Sequence, residues 1–155
     1  MELTIRDLKD DELIAHTILT TLNKEKFTYY IDNTYGPKVH DRYIKTDNKT
    51  IKLSNDIQTI NVGHNQTYQT FIRNTFEKLD KIIDLDFEEM LHNNGSMLDI
   101  YQVSYSSHMA ENVVGQALTQ QSENGGWWDI FWRINPQNKD NNNYTDLNTI
   151  AHEIG

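Results

Sequence analysis

Residues 127–134 have the sequence WWDIFWRI and form the most apolar stretch of the chain. Aromatic and β-branched residues are typical of strands, and alternate residues of a strand face opposite sides of a sheet. A stretch that is apolar on both sides therefore predicts a strand covered on both faces, with its aromatic residues in the core. These residues are Trp127, Trp128, Phe131 and Trp132. An exposed aromatic platform that binds a sugar is the minority interpretation.

Other strands are predicted where β-branched or aromatic residues cluster or alternate with polar ones. They cover residues 26–31, 85–90, 97–106 and 113–119. A short hairpin is predicted for Tyr43–Thr46 and Thr50–Leu53, on either side of a polar turn. Residues 33–38 and 120–126, which contain a Gly-Pro and a Gly-Gly pair, are predicted to be a turn and a loop.

Helices are predicted where apolar residues recur at helical spacing. They cover residues 7–22, residues 66–83, and a last segment that begins at Thr145 or Asp146 and runs to the end of the chain. The order of helix, strand, helix, several strands and helix predicts an α+β fold, in which a mixed sheet is backed by helices. Residues 1–24 then form an N-terminal helical segment, and residues 25–155 form one domain of ordinary size.

The composition limits the classes of function. The 155 residues carry a net charge of -9, which argues against binding to nucleic acid or to anionic membranes, because both attract clustered Lys and Arg. There are no cysteines, so a transition-metal site must use His and carboxylate ligands. The sequence predicts neither an N-terminal signal peptide nor a membrane span. The localisation therefore stays open on this basis.

The end of the chain carries the residues that point to chemistry. Residues 149–155 read TIAHEIG, so His152 and Glu153 lie in the last predicted helix. In the motif His-Glu-x-x-His, two histidines four residues apart lie on one helix face and bind one zinc ion, while the glutamate takes a proton from the zinc-bound water. The second histidine would be residue 156, which this sequence does not contain. For the dipeptide by itself, the alternative is a solvated helix end.

In its setting, the motif resembles the start of the active-site helix of metzincin metallopeptidases, above all the serralysin and matrixin types. Their motif is His-Glu-x-x-His-x-x-Gly-x-x-His and often opens as His-Glu-Ile-Gly-His, which residues 152–155 match as far as they extend. The order of the upstream strands and helices is similar to that of the family's upper subdomain. The resemblance therefore implies a twisted, mixed five-stranded sheet with a backing helix at 66–83 and an active-site helix at the end of the chain.

The resemblance also implies roles for individual residues. His152 would be the first zinc ligand, and Glu153 the general base of a zinc-dependent metalloendopeptidase that hydrolyses protein or peptide substrates. The edge strand would pair with an extended substrate through Gly115, Gln116, Ala117 and Leu118. Residues 25–155 would be an incomplete catalytic domain that lacks two histidine ligands, so we expect the 155-residue chain itself to be inactive. The family also implies an extracellular location.

Two further cation sites are weaker alternatives. Matrixins carry a structural zinc, and the candidate ligands here are His40, His64, His92 and His108. Their spacing matches no tight ligand pattern, so exposed or core histidines are the favoured interpretation. Oxygen ligands that suit calcium are offered by Asp140, Asn141, Asn142, Asn143 and Asp146. A solvated loop is the favoured interpretation of that stretch.

The alternative to an enzyme is a non-catalytic, β-rich module that binds a peptide or a glycan. Such a module would use the strand edge or the aromatic strand, and it would bind without metal. A peptidase, in contrast, loses activity when a chelator removes zinc or when Glu153 is changed to Gln.

Overall fold

A computed structural model describes residues 26–82, 85–134 and 144–154 of the chain. In chain order the elements are β1 (Lys26–Ile31), β2 (Tyr35–Thr46), β3 (Lys49–Val62), α1 (Gln66–Asp80), β4 (Asp86–Met90), β5 (Leu98–Ser106), β6 (Gly115–Ser122), β7 (Gly125–Trp132) and α2 (Tyr144–Ile154). This part of the chain is thus a mixed α and β structure, with a strand-rich sheet and two helices. The predicted N-terminal helical segment, residues 1–24, lies outside the described residues.

Seven strands form one sheet, in which β5 is the central element. β1 runs parallel to β4 and to β5, β5 runs parallel to β7, and β6 pairs antiparallel with β7. These strands lie in the order β4, β1, β5, β7 and β6, which leaves β6 at one edge of the described sheet. β3 pairs antiparallel with the last residues of β5, and β2 pairs with β3. The prediction of five strands was too low, because β2 and β3 extend the sheet.

Strands β2 and β3 form a long antiparallel ribbon instead of the short predicted hairpin. Their pairing runs from Thr46 opposite Lys49 to Tyr35 opposite Val62. The turn predicted at 33–38 was therefore wrong from its third residue onward. Proline is tolerated in β2 because this strand lies at an edge of the described sheet, where a missing N–H group costs little.

The polar loop predicted for residues 120–126 is also different in the structure. β6 continues to Ser122 and β7 begins at Gly125, so only two residues form the turn between them. Gln120 is fully buried, and both its amide oxygen and its amide nitrogen are hydrogen-bonded. The prediction failed because the end of β6 packs against the ribbon and is hydrogen-bonded to it. A polar sequence does not reveal such contacts with a distant segment.

A hydrophobic core covers each face of the sheet. On one face, helix residues Ile72, Phe76 and Ile150 pack with Ile100 and Trp132 of the strands. The core of the other face is formed by Ile57, Tyr101, Val103, Met109 and Phe131. Phe131 and Trp132 are each 0% exposed and belong to opposite faces. The prediction that the aromatic residues are core is thus confirmed for Phe131 and Trp132, whereas Trp127 and Trp128 are half-buried.

The predicted backing helix is present as α1. Its N-cap residue Asn65 accepts a hydrogen bond from Tyr68 N at 2.8 Å through its side chain, which satisfies one of the unpaired N–H groups of the first turn. The helix ends at Asp80, a little earlier than predicted. On the sheet side it buries Ile72, Phe76 and Leu79, so it fixes the orientation of the parallel strands behind it.

Candidate functional site

Helix α2 carries the motif residues to the sheet edge that β6 forms. It contacts β6, β7 and α1. Ile150 is 1% exposed, and Ile154, one turn later, packs against the same core. This side of the helix therefore faces the sheet. His152, between these two residues, is exposed, and Glu153 is half-buried.

Glu153 lies directly against the first residue of the edge strand. A Cβ atom built on Gly115 would lie 2.7 Å from Cγ and 2.8 Å from Cδ of Glu153, which is too close for any side chain. The carboxyl group therefore occupies the space that a side chain at position 115 would need. Because Gly115 has no side chain, α2 can bring this carboxyl group to the backbone of β6.

Burial raises the pKa of the Glu153 carboxyl group above its ordinary value, and the charge of neighbouring His152 offsets part of this rise. A carboxylate with a raised pKa is a stronger proton acceptor near neutral pH than one in open water. Glu153 thus combines a place beside a strand edge with a raised pKa.

Backbone hydrogen bonds determine which groups of β6 face away from the sheet. Trp128 N donates to Met97 O at 2.9 Å, so Trp128 directs its N–H group towards the β5 side. Its partner on β6 is Thr119. In an antiparallel pair, opposing residues alternate between hydrogen-bonded and non-hydrogen-bonded pairs. Thr119 therefore belongs to a non-hydrogen-bonded pair, and its N–H and C=O groups point away from β7.

The same alternation applies to the residues predicted to bind a peptide. Ala117 and Gly115 lie two and four residues before Thr119 and therefore also direct their N–H and C=O groups outward. Gln116 and Leu118 pair with β7 instead. The structure thus brings all four predicted residues to the strand edge, and two of them offer backbone hydrogen bonds to a ligand.

Of the side chains predicted to bind metal at the motif, the described residues bring His152 to this place. No group of three His, Asp or Glu side chains suited to a metal occurs within residues 26–82, 85–134 and 149–154. The side chains predicted to bind calcium, at positions 140–146, lie outside the described part of the chain.

The site thus joins an exposed imidazole, a half-buried carboxyl group and an open strand edge. No protein-family model, curated protein or solved structure matches this chain. Its function is therefore inferred from the geometry and from the sequence motif. In the described part of the chain, neither helix is long and apolar enough to cross a membrane.

Three of the four histidines considered for a second zinc site have other contacts, and the fourth, His92, is exposed. His64 is buried, and its Nε2 atom accepts a hydrogen bond from Trp132 Nε1 at 2.9 Å. Its Nδ1 atom therefore carries the proton and donates to Asp32 O at 2.6 Å. His40 and His108 lie within hydrogen-bond distance of a threonine hydroxyl and of an aspartate, respectively. These contacts agree with the interpretation of core or surface histidines.

Sequence analysis missed a pair of buried carboxyl groups on adjacent strands. Asp99 of β5 lies opposite Asp129 of β7, and both are buried on the face that the ribbon covers. Burial and the neighbouring Asp129 charge raise the pKa of Asp99 to about 8, so Asp99 keeps its proton and donates it to Asp129. Ser96 Oγ donates to Asp99 as well. The pairing could not be foreseen, because it depends on the register of two strands that are distant in sequence.

A separate open cavity of about 510 Å³ lies between the N-terminus of α1 and the ends of β3 and β5. Its lining includes Tyr35, Tyr68, Gln102 and Arg133, and none of the motif or edge-strand residues named above contributes to it. The proposed chemistry is placed at Glu153 and not in this cavity, because the cavity lacks a carboxylate or an imidazole in its lining.

Proposed function

We propose that this chain forms the sheet and the active-site helix of a zinc-dependent metalloendopeptidase of the metzincin type. The observation that carries the proposal is the contact between Glu153 and Gly115, which sets a carboxyl group of raised pKa at the end of an open strand edge. A peptide that adds to this edge as an extra strand runs past the carboxyl group. A base beside a peptide-binding edge is the arrangement that peptide hydrolysis requires.

In the proposed reaction, Glu153 accepts a proton from the water molecule that attacks the peptide carbonyl, and it later delivers a proton to the leaving amine. Gly115 and Ala117 hold the extended substrate through their outward backbone groups. His152, on the exposed side of α2, would hold the metal through an imidazole nitrogen. Zinc, when bound, would lower the pKa of a coordinated water towards about 7.

The family resemblance assigns the second and third histidine ligands to positions after residue 155. Because the described residues supply one ligand, the proposed activity belongs to a chain that includes those positions. Peptide binding at the edge of β6 is expected to need no metal.

The proposal is tested on a chain extended through the codons that follow residue 155 in its source. If these read on as His-x-x-Gly-x-x-His, we expect the purified protein to contain one zinc ion per chain and to cleave unfolded protein substrates. Glu153→Gln should lower kcat/KM by about a thousandfold, because it removes the general base. Its zinc content, measured by atomic emission, should stay unchanged.

Glu123→Gln is the matched control, since Glu123 is an exposed residue in the turn between β6 and β7. It should keep full activity, whereas a chelator should abolish activity and added zinc should restore it. Hydrolysis that survives both the chelator and Glu153→Gln would overturn the proposal. A stop codon directly after residue 155 would do the same.

A second candidate function is a peptide-binding module without catalysis, and the open edge of β6 favours it. This module predicts metal-independent peptide binding that Glu153→Gln does not change, with no hydrolysis by the extended chain. A glycan platform on the aromatic strand is disfavoured, since Phe131 and Trp132 are each 0% exposed.

A further inference from the structure

One buried side chain fastens the ribbon to the edge strand. Gln120 of β6 is fully buried, and its amide oxygen accepts hydrogen bonds from Tyr43 N at 2.8 Å and from Arg42 Nη1 at 3.0 Å. Its amide nitrogen donates to Asp41 O at 3.1 Å and to Asp129 Oδ2 at 2.8 Å. The ribbon is therefore held at one defined point of β6, beside the edge that the proposed substrate would use.

Arg42 occupies part of that edge itself. Its Nη1 group donates to Thr119 O, and this carbonyl is one of the groups that point away from β7. A peptide that added to β6 at this point would need the same carbonyl as a hydrogen-bond acceptor. In the described structure the edge is thus closed at Thr119 and open at Ala117 and Gly115.

An incoming peptide would not easily displace the Arg42 side chain from β6. Its guanidinium group is half-buried and bonded to two oxygen atoms of β6, those of Thr119 and of the Gln120 side chain. The carboxylate of Asp129 also stabilises its positive charge. Removing these acceptors would leave a partly buried charge without partners, which is costly.

We propose that Arg42 is the end stop of the peptide-binding edge and limits the substrate segment between Glu153 and the ribbon to about four residues, at about 3.3 Å per residue. This inference rests on the proposed use of β6 as the peptide edge, but it needs neither zinc nor catalysis. It predicts selectivity for certain peptides. These end, or turn away from the sheet, about four residues from the peptide bond that lies beside Glu153.

The inference is tested by NMR on the 155-residue chain labelled with ¹⁵N. The probe is a blocked eight-residue peptide built from Lys, Val and Thr, with Lys included because the chain has a net charge of -9. We expect the peptide to shift the amide signals of Gly115 and Ala117 and to leave that of Gln121, the next outward group beyond Thr119, unchanged. In Arg42→Met the signal of Gln121 should also shift, and the peptide should bind about threefold to tenfold more tightly.

Lys45→Met is the matched control, since Lys45 is exposed on the same strand and its replacement removes the same charge. It should bind the peptide as the native chain does. If the peptide shifts the amide signal of Gln121 in the native chain, the end stop is overturned. This measurement does not depend on the folding of a variant. The end stop would also be overturned if, in folded Arg42→Met, the peptide shifts the signals of Gly115 and Ala117 but not that of Gln121. Neither of these two results contradicts the proposed activity. If neither residue responds in any chain, the edge is not a peptide site and the inference falls with it.

Discussion

The carboxyl group of Glu153 fills the space above Gly115. Because Gly115 has no side chain of its own, the last turn of α2 meets the first residue of β6 through the Glu153 side chain. A glycine and a glutamate that are far apart in sequence thus form one structural unit. The position of the helix relative to the strand edge consequently determines both where this carboxyl group lies and how deeply it is buried.

Gly115→Ala tests this unit. The new methyl group would overlap Cγ and Cδ of Glu153, and the flexible side chain should move into solvent. The pKa of Glu153 should then fall towards its ordinary value of 4.5, because burial is the main cause of its rise. We expect only a small loss of stability, because the atoms that must move belong to the end of a flexible side chain. A ¹³C NMR titration of the Glu153 carboxyl carbon measures the pKa.

Ala117→Ser is the control for Gly115→Ala, since Ala117 is an exposed residue of the same strand edge. It should leave the titration of Glu153 unchanged. If Gly115→Ala leaves the pKa of Glu153 at its native value, the contact with Gly115 is not what buries the carboxyl group.

Asp99→Asn should make the folding stability of the chain less sensitive to a rise of pH towards 8. In the folded chain the pKa of Asp99 is raised to about 8 from its ordinary value of 3.8, so between these values the unfolded chain releases a proton that the folded chain keeps. Stability therefore falls as the pH rises through this window. The amide can donate to Asp129 without titrating, so the variant should be more stable than the native chain at pH 8 by several kcal/mol, at about 1.4 kcal/mol for each pH unit of this window.

Urea unfolding at pH 5, 6.5 and 8 measures this effect. Asp47→Asn is the control, because Asp47 is exposed in the ribbon turn, and its pH profile should follow that of the native chain. A variant that loses as much stability as the native chain between pH 5 and pH 8 would exclude Asp99 as the titrating group.

His64→Leu should destabilise the chain more at pH 8 than at pH 5. The substitution leaves Trp132 Nε1 and Asp32 O without their buried partner, which should cost about 2–4 kcal/mol at pH 8. Burial lowers the pKa of His64 below its ordinary value of 6.5. Below pH 6.5, His64 binds a proton in the unfolded native chain but not in the folded one. The stability of the native chain therefore falls with decreasing pH. The variant has no His64 and does not lose stability in this way.

Denaturant unfolding at both pH values, followed by circular dichroism, gives the two stability differences. His92→Leu serves for comparison, because His92 is exposed in the segment between β4 and β5. An equal cost of His64→Leu at pH 5 and pH 8 would show that His64 is not held neutral in the folded chain.

Gln120→Leu should release the ribbon from the edge strand. The substitution removes the partner of Tyr43 N and Asp41 O and leaves Asp129 with one hydrogen bond fewer. We expect a stability loss of about 3 kcal/mol and faster hydrogen exchange at the Tyr43 amide. Gln121→Leu, at the next position of β6, should leave that exchange rate close to native, and protection of Tyr43 that survives Gln120→Leu would contradict the fastening role.

Local periodicity was enough to predict most of the regular elements. The strands β1, β4, β5 and β7 are rich in β-branched, aromatic or alternating apolar residues, and α1 has an apolar stripe at helical spacing. Such patterns depend on near neighbours in the chain, so a single sequence reveals them. The polar ribbon and the end of β6 were missed, because contacts with distant strands hold them in place.

The motif residues show the same division. The sequence identified His152 and Glu153 and placed them on a helix, which the structure has as α2. Their proposed roles in zinc binding and catalysis stay predictions. The sequence also placed Gly115–Leu118 on a strand, but only the register with β7 shows which of these residues face outward.

The sequence by itself determined the chemical candidates of this protein: the His-Glu pair, the absence of thiolate ligands, and an aromatic strand that contributes to the core. Only the tertiary structure decided that Glu153 meets Gly115, that Asp99 faces Asp129, and that Arg42 closes the strand edge. The physical reason is the range of the interactions. Residue type and spacing act along a few neighbouring residues, whereas strand register and helix docking bring together groups that the chain holds far apart.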